Sequence, residues 1–279
     1  MNVEPEGLEF AKMSNVEHEA EEREIELLDE FQEICSRAGE NTDNVIIKEL
    51  INSYKPQCIE KFPYEMNIVL SDEVPVCQSP RTLSLEDRNF VNQQVENWLE
   101  ADIIQPSSSN YASPVVIVKR SVTKRLCCDY RLLNTKIVQD GFPRITMWDS
   151  FGMLNRAKIF TKLVLEDGEC HVPIAEDSRK YTAFVTQDGH YEFKYVPFGI
   201  RNSREVFSRF LNHVFGDLIK DETIGIHMTD IIIPSKDIDE GIMKLRQVLE
   251  VASRYGVRIK WEKCEFLQLK IKIFGYEWY

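Results

Sequence analysis

Ser-Pro-Val-Val-Ile-Val-Lys, residues 113–119, is the segment on which the prediction of the fold depends most. Its β-branched and apolar residues, in a run of strand length, predict a β-strand. A second such run at 125–130 follows a short interval, so the two runs predict a β-hairpin. Two basic residues stand at each end of the hairpin tip, which is therefore expected to be cationic.

Strands and helices are mixed on either side of this hairpin. Apolar runs predict further strands at 159–165, 191–196, 224–228 and 231–234. Helices are predicted at 84–101, 203–219 and 237–255. The first of these helices has a capping box, Ser84 and Asp87, ahead of its apolar stripe. This order predicts an α+β fold in which helices cover one face of a sheet.

The amino-terminal part of the chain differs from the rest in charge. Residues 1–60 contain 16 acidic and 5 basic residues, which accounts for −11 of the net charge of −12. Apolar residues at helical spacing over 17–37 predict an acidic amphipathic helix, and a second, short helix is predicted at 43–54. Pro56 begins a proline-rich, extended stretch. We therefore predict a boundary near residue 56, between an acidic helical arm at 1–55 and a main domain at 56–279.

Composition excludes several classes of protein. A hydrophobic content of 43% in 279 residues is sufficient for a buried core. The chain has no apolar run of about 18 residues, and its first residues are acidic, unlike a signal peptide. Its seven cysteines are an odd number without a Cys-x-x-Cys pair, so we expect reduced, mostly buried thiols. We expect a soluble, intracellular protein, cytoplasmic or nuclear, without a membrane partner.

Four motifs occur in fixed order along the chain. They are Tyr-Ala-Ser-Pro-Val-Val-Ile-Val-Lys (111–119), Cys-Asp-Tyr-Arg-Leu-Leu-Asn (128–134), Arg-Lys-Tyr-Thr-Ala-Phe-Val-Thr (179–186) and Val-Pro-Phe-Gly-Ile-Arg-Asn-Ser (196–203). Lys-Cys-Glu-Phe-Leu (263–267) and Phe-Gly-Tyr-Glu (274–277) follow them. Together they resemble the reverse transcriptase of gypsy-type LTR retrotransposon Pol polyproteins, in a truncated and degenerate form, over residues 56–279.

The resemblance implies a right-hand polymerase fold. The fingers are expected at about 84–146 and 176–204, with the strands of a ferredoxin-like palm around them. The printed chain stops at Tyr279, just before a thumb would follow, so we expect the thumb to be absent.

The resemblance also implies nucleotide-binding roles for four residues. Lys119 and Arg125 match the family's triphosphate-contacting positions, and ammonium and guanidinium groups are the usual partners of phosphate oxygens. Phe198 and Gly199 match the floor of the nucleotide pocket. The alternatives are ordinary solvated charges for the first pair and a plain turn beside the core for the second. The family's Asn-Gly or Asp-Gly turn is absent at 121–123.

Most of the family's catalytic carboxylates are missing. The resemblance implies two Mg²⁺ or Mn²⁺ ions held by three aspartates on adjacent strands. Val164 occupies the first aspartate position, in Phe-Thr-Lys-Leu-Val-Leu (160–165), and Thr229 occupies the second, in His-Met-Thr-Asp (227–230). Asp230 is the retained aspartate and the predicted metal ligand, if any metal binds. We expect no productive binding of the two ions.

Neighbouring side chains do not replace the missing ligands. Glu166 shares the strand face of Val164, but it lies two residues further on and therefore roughly 6 to 7 Å away. His227 replaces a tyrosine, and imidazole prefers softer metals than magnesium. Glu169 replaces the aromatic residue that excludes the ribose 2′-hydroxyl, and it would repel a triphosphate unless it points to solvent.

Three functional hypotheses follow. The first is a reverse-transcriptase-like domain, with RNA-directed DNA polymerase ancestry, that is catalytically inactive in this copy. The second is a residual polymerase that uses Asp230 with a carboxylate borrowed from Glu166 or from a partner. The third is a non-enzymatic module that binds nucleic acid or protein. The resemblance implies an RNA or DNA primer-template as partner, and surface that a thumb would cover is expected to cause self-association.

Overall fold

The computed structural model of the chain describes residues 42–60, 62–120, 123–143, 151–166, 171–273 and 276–279. The acidic helix predicted over 17–37 lies outside these residues, and so does Glu169.

A five-stranded sheet contains the predicted hairpin. The hairpin strands are β2, Ser113–Arg120, and β3, Thr123–Cys128, paired antiparallel. Three short strands complete the sheet: β1, Ile104–Pro106; β5, Phe184–Val185; and β6, His190–Phe193. The strand order is β1-β6-β5-β2-β3, and β2 pairs with β5 in parallel. Parallel pairing needs a long crossover connection, and here the chain builds part of a second sheet between β3 and β5.

The second sheet has four antiparallel strands. These are β4, Ile159–Val164; β7, Gly225–His227; β8, Asp230–Ser235; and β9, Glu265–Gln268, in the order β7-β8-β4-β9. A separate hairpin pairs β10, Ile271–Ile273, with β11, Tyr276–Trp278.

The predicted helices that lie in the described residues are confirmed to within one residue at each end. The described helices are α1, Thr42–Ser53; α2, Leu85–Glu100; α3, Arg131–Lys136; α4, Phe151–Leu154; α5, Glu176–Arg179; α6, Ser203–Lys220; and α7, Ile238–Arg254, with 3-10 turns at Lys180–Thr182 and Trp261–Lys263. The Ser84 hydroxyl caps α2 by accepting a hydrogen bond from the Asp87 N–H at 3.2 Å.

The two faces of the four-stranded sheet are covered differently, because side chains alternate along each strand. One face joins the main core beneath α6 and α7 through Leu163, Leu165, Ile231 and Ile233. On the other face, Phe160 and Ile232 pack in a smaller cluster with α4 and the β10–β11 hairpin. This cluster covers only one end of that face. The next residues along β4 on the same face, Lys162 and Val164, remain half-buried.

Helix α1 packs against α7. Its residues Ile47 and Ile51 are buried, and the hydroxyl of Tyr54 donates a hydrogen bond to the Val257 carbonyl. The sequence-based boundary near residue 56 stays a prediction. The packing of α1 nevertheless places residues 42–54 on the same core as the residues that follow.

Cysteine burial differs from expectation. All five cysteines in the described residues are free thiols, as predicted, but only Cys128 and Cys264 are buried. Cys58 and Cys77 are exposed, because they lie in the extended stretch that follows α1. The expectation of mostly buried thiols is therefore wrong for the described part of the chain. Among those residues, no helix is long and apolar enough to span a membrane.

Candidate active site

Val164 and Asp230 lie directly opposite each other on neighbouring strands. The register of β4 and β8 pairs Val164 with Asp230, and the register of β7 and β8 pairs Asp230 with His227. Because directly paired residues share one face of a sheet, these three side chains form a row across three strands, which we call the site row. The position beside Asp230 therefore holds an isopropyl group instead of a carboxylate.

Thr229 lies at the end of the site row, in the loop between β7 and β8. Two-residue hairpin loops favour turns with a positive φ, and Met228 adopts a φ of 52°. The Thr229 carbonyl accepts a hydrogen bond from the Leu165 N–H at 2.8 Å, which ties this turn to the end of β4. The position predicted for the second aspartate thus adjoins Asp230, and it carries a hydroxyl side chain.

Asp230 is half-buried in surroundings that disfavour its charge. Burial raises the pKa of Asp230, the ammonium of Lys162 and the ring of His227 oppose that shift, and the carboxylate of Glu265 adds to it. Burial also lowers the pKa of His227, against the attraction of Asp230. Both shifts favour the neutral forms, so an added cation would stabilise the ionised carboxylate.

Lys162 and Glu265 form an ion pair next to the site row. Lys162 lies two residues before Val164 on the same strand face, and its Nζ is 2.8 Å from Glu265 Oε1. The register of β4 and β9 places these residues opposite each other. The carboxylate of Glu265 is therefore paired with a half-buried ammonium group.

The described residues do not fit a two-metal site. Magnesium requires hard oxygen ligands in near-octahedral geometry, and the three predicted positions supply one carboxylate, Asp230. In the part of the chain that the structure describes, no group of three or more His, Cys, Asp or Glu side chains could hold a metal ion. Glu166 lies past the end of β4, where its N–H donates to the Arg258 carbonyl at 2.9 Å. The donor set of the site row does not match the hard, carboxylate-rich site that two magnesium ions need.

Lys119 and Arg125 point to opposite faces of the β2–β3 hairpin. The register pairs Lys119 with Lys124, and Arg125 is the next residue along β3. Lys119 and Lys124 face the first turn of α2, where their Nζ atoms are 3.9 and 3.2 Å from the Asp87 carboxylate. Arg125 is exposed. The hairpin therefore presents Arg125 to solvent, whereas Lys124 is paired with carboxylates of α2, and Lys119, although exposed, lies near one of them.

Phe198 and Gly199 form a corner that Asn134 holds in place. Gly199 has a φ of +87°, which favours glycine, and Phe198 is 49% exposed. The Asn134 side-chain amide donates to the Gly199 carbonyl at 2.8 Å and accepts from the Arg201 N–H at 2.7 Å. One asparagine thus fixes both sides of the corner.

The predicted site residues fall into three groups. Val164, Thr229 and Asp230 are brought together in the four-stranded sheet, Lys119 and Arg125 belong to the five-stranded sheet, and Phe198–Gly199 belong to the connection between β6 and α6. Sequence reasoning gave no role to Asn134, although this residue closes the motif at 128–134. It also missed the Lys162–Glu265 pair, because the pairing of β4 with β9 has no signal in either segment alone.

Comparison with known proteins gives one family. Residues 117–278 match the family model described as reverse transcriptase (RNA-dependent DNA polymerase). The chain is 31% identical over 212 residues to the retrovirus-related Pol polyprotein from transposon gypsy of Drosophila melanogaster, covering 74% of this chain and 20% of that protein. It is 29% identical over 259 residues to the Pol polyprotein from transposon opus of the same species, covering 90% and 24%. The chain therefore spans about a quarter or less of the length of these two relatives.

Solved structures agree in fold. The foamy viral protease-reverse transcriptase in complex with an RNA/DNA hybrid matches with a TM-score of 0.79 and 19% identity, over 90% of this chain and 35% of that chain. The same viral protein in complex with double-stranded DNA matches with a TM-score of 0.77, over 90% of this chain and 54% of that chain.

Proposed function

Because this chain belongs to the reverse transcriptase (RNA-dependent DNA polymerase) family, we propose that it is a fingers and palm unit of a retrotransposon Pol protein whose catalytic site is inactive. The predicted resemblance to gypsy-type reverse transcriptases is confirmed, and so is the α+β polymerase fold. We assign the five-stranded sheet to the fingers and the four-stranded sheet to the palm. We keep the predicted division into an arm at 1–55 and a main domain at 56–279 as part of this proposal.

The proposed inactivity rests on the residues at the predicted metal-binding positions. Reverse transcriptases use divalent metal ions, and adjacent strands must supply more than one carboxylate to hold them. In this chain Val164 is the residue directly opposite Asp230, and Thr229 precedes Asp230 in the turn. A single half-buried carboxylate cannot neutralise two divalent ions at the separation that nucleotidyl transfer needs. The fold around the site row remains intact, so the loss is confined to chemistry.

Primer extension on a repaired chain tests the proposal. The Val164→Asp, Thr229→Asp double variant should extend a labelled primer-template in Mg²⁺ or Mn²⁺, whereas the natural chain should remain at background. The matched control is Val164→Asn, Thr229→Asn, which has nearly the same shape and hydrogen-bonding capacity without the charges. Extension by the natural chain would overturn the inactive assignment.

A residual polymerase is the alternative enzyme function, with Asp230 assisted by Glu166 or by a partner's carboxylate. If the natural chain shows any extension, Asp230→Asn should abolish it. Glu166→Gln should abolish it as well if Glu166 is the borrowed ligand, and should leave it unchanged if a partner supplies the carboxylate.

Binding of nucleic acid without catalysis is a second candidate function. The structural relatives named above were solved with an RNA/DNA hybrid and with double-stranded DNA. In this chain, the exposed Arg125 on the hairpin is the observation that favours a retained phosphate contact. Arg125→Ala should weaken binding of an RNA/DNA hybrid and reduce its salt dependence by about one counterion. Lys220→Ala, at an exposed cation on the far end of α6, is the matched control and should have little effect.

We also propose self-association through exposed apolar side chains near the end of the chain, where Leu269 and Tyr279 are 70% and 85% exposed. Light scattering across a concentration series should show a mass above that of one chain. A constant monomer mass would contradict this part of the proposal.

A further inference from the structure

A short segment after α7 holds the carboxyl end of β4 from outside the sheet. We call residues 257–264 the bracket segment. The Lys260 N–H donates to the Val164 carbonyl at 2.7 Å, and the Glu166 N–H donates to the Arg258 carbonyl at 2.9 Å. Ile259 forms an isolated bridge with Leu165. The bracket segment therefore fixes the backbone of residues 164–166, where β4 ends.

Tyr54, the residue that follows α1, contacts the other side of the bracket segment. Its hydroxyl donates to the carbonyl of Val257, and its ring packs edge-on against Trp261 with the centroids 5.4 Å apart. Val257 and Trp261 flank the two residues whose backbone groups bond to β4. Burial raises the pKa of Tyr54, so its hydroxyl remains protonated and a donor across the ordinary pH range.

The chain between α1 and residue 60 adds backbone contacts at the end of α7. The Gln57 N–H donates to the Ser253 carbonyl at 2.9 Å, and the Glu60 N–H donates to the Arg254 carbonyl at 2.9 Å. The Ser253 hydroxyl donates to the Lys55 carbonyl at 2.6 Å. These bonds hold the chain after α1 against the end of α7, the helix that leads into the bracket segment. The position of Tyr54 relative to that segment is therefore fixed.

We infer that Tyr54 is a positioning residue for the site row and that α1 belongs to the palm. Contacts run from Tyr54 to Val257 and Trp261, and from their neighbours Arg258 and Lys260 to the end of β4. The alignment of position 164 with Asp230 depends on where β4 ends, because a displacement below 1 Å disrupts a metal site. The inference rests on the proposed function only in taking positions 164 and 230 as the catalytic pair. It places a helix that the sequence assigned to the arm among the elements that set catalytic geometry.

Hydrogen exchange on the 279-residue chain, without the changes at positions 164 and 229, tests the contact path without requiring activity. Tyr54→Phe removes one part-buried hydrogen bond and should speed exchange of the Lys260 and Glu166 amides by about tenfold. Tyr54→Leu, which also removes the ring, should have a larger effect. Tyr130→Phe is the control, because it also removes a hydrogen bond from a tyrosine hydroxyl to a backbone carbonyl, that of Thr182, but at a buried position beside the five-stranded sheet.

The outcome is decided by where exchange changes. The control should leave the Lys260 and Glu166 amides unchanged. If Tyr54→Phe lowers the thermal midpoint but leaves these two amides as protected as before, Tyr54 is a structural residue only and the inference is wrong. Equal acceleration by Tyr54→Phe and Tyr130→Phe would also overturn it.

A second readout uses the Val164→Asp, Thr229→Asp chain. Adding Tyr54→Phe should lower kcat about tenfold and leave KM for the nucleotide unchanged, because metal geometry is disturbed and the fingers are not. An unchanged kcat would refute the positioning role. A repaired chain without any extension would contradict only the view that the loss is confined to positions 164 and 229, while the exchange experiment would still decide the role of Tyr54.

Discussion

Replacing Val164 by aspartate places a second carboxylate directly opposite Asp230. Directly paired side chains in an antiparallel sheet have Cβ atoms about 5 Å apart. Two unit charges at about 5 Å interact by about 3 kcal/mol at the effective dielectric constant of about 20 that suits such positions. Both positions are half-buried, so solvent lowers the repulsion to roughly 2 kcal/mol. Burial already raises the pKa of Asp230, and the new charge raises it further.

Urea denaturation at pH 8 measures this repulsion. In chelator, Val164→Asp should unfold with a free energy about 2 kcal/mol lower than Val164→Asn, which has the same shape without the charge. The difference should shrink as the pH falls, because a group whose pKa is raised by folding destabilises the protein only where it is ionised. Manganese at about ten times its dissociation constant should restore about 1.4 kcal/mol to the aspartate variant and nothing to the asparagine variant. Equal stabilities of the two variants in chelator would show that position 164 does not face Asp230.

Three further predictions concern single residues. Asp230→Asn should stabilise the chain at neutral pH, because burial raises the pKa of the native carboxyl, and urea denaturation should show the gain shrinking as the pH falls below that raised pKa and vanishing below the unfolded-state pKa near 4. Gly199→Ala should lower the free energy of unfolding by about 1 to 2 kcal/mol despite the open space around it, because its φ is +87°, and a near-unchanged thermal midpoint would contradict the described corner. Thiol alkylation followed by mass spectrometry should label the exposed Cys58 and Cys77 well before the buried thiols whose pKa is raised to about 12, Cys128 and Cys264.

The local pattern of apolar residues was sufficient to predict most of the helices and strands. The hairpin at 113–130 and the helices at 84–101, 203–219 and 237–255 are long, strongly patterned segments, and the first of these helices has a recognisable cap, Ser84. The short strand β5 could not be predicted from its sequence, because it is two residues long and takes its conformation from the neighbouring strands β2 and β6. A short helix was predicted at 43–54, but its sequence could not indicate that α7 is its partner.

The candidate site, too, could be predicted only in part from the sequence. Once the motifs are aligned, the sequence shows Val164 and Thr229 at two of the predicted aspartate positions. Strand pairing then places Val164 beside Asp230, which Thr229 directly precedes in the chain. The faces of Lys119 and Arg125 depend on the register of β2 with β3, which a turn without Asn-Gly or Asp-Gly leaves open. Asn134 illustrates a further limit, because its two hydrogen bonds join segments more than 60 residues apart.

The unequal covering of the four-stranded sheet has a consequence for how such a chain changes over generations. Much of the free energy that holds this sheet comes from Leu163, Leu165, Ile231 and Ile233, which are at most 3% exposed on the face beneath the helices, and Phe160 and Ile232 add to it at the covered end of the other face. Position 164 lies on the other face, in the part that α4 and the β10–β11 hairpin leave open. A carboxylate there can be exchanged for an isopropyl group without a cavity or a clash. The site row thus lies at the open end of a face whose other end, like the opposite face, is buried, so position 164 can change with little loss of the packing that holds the strands.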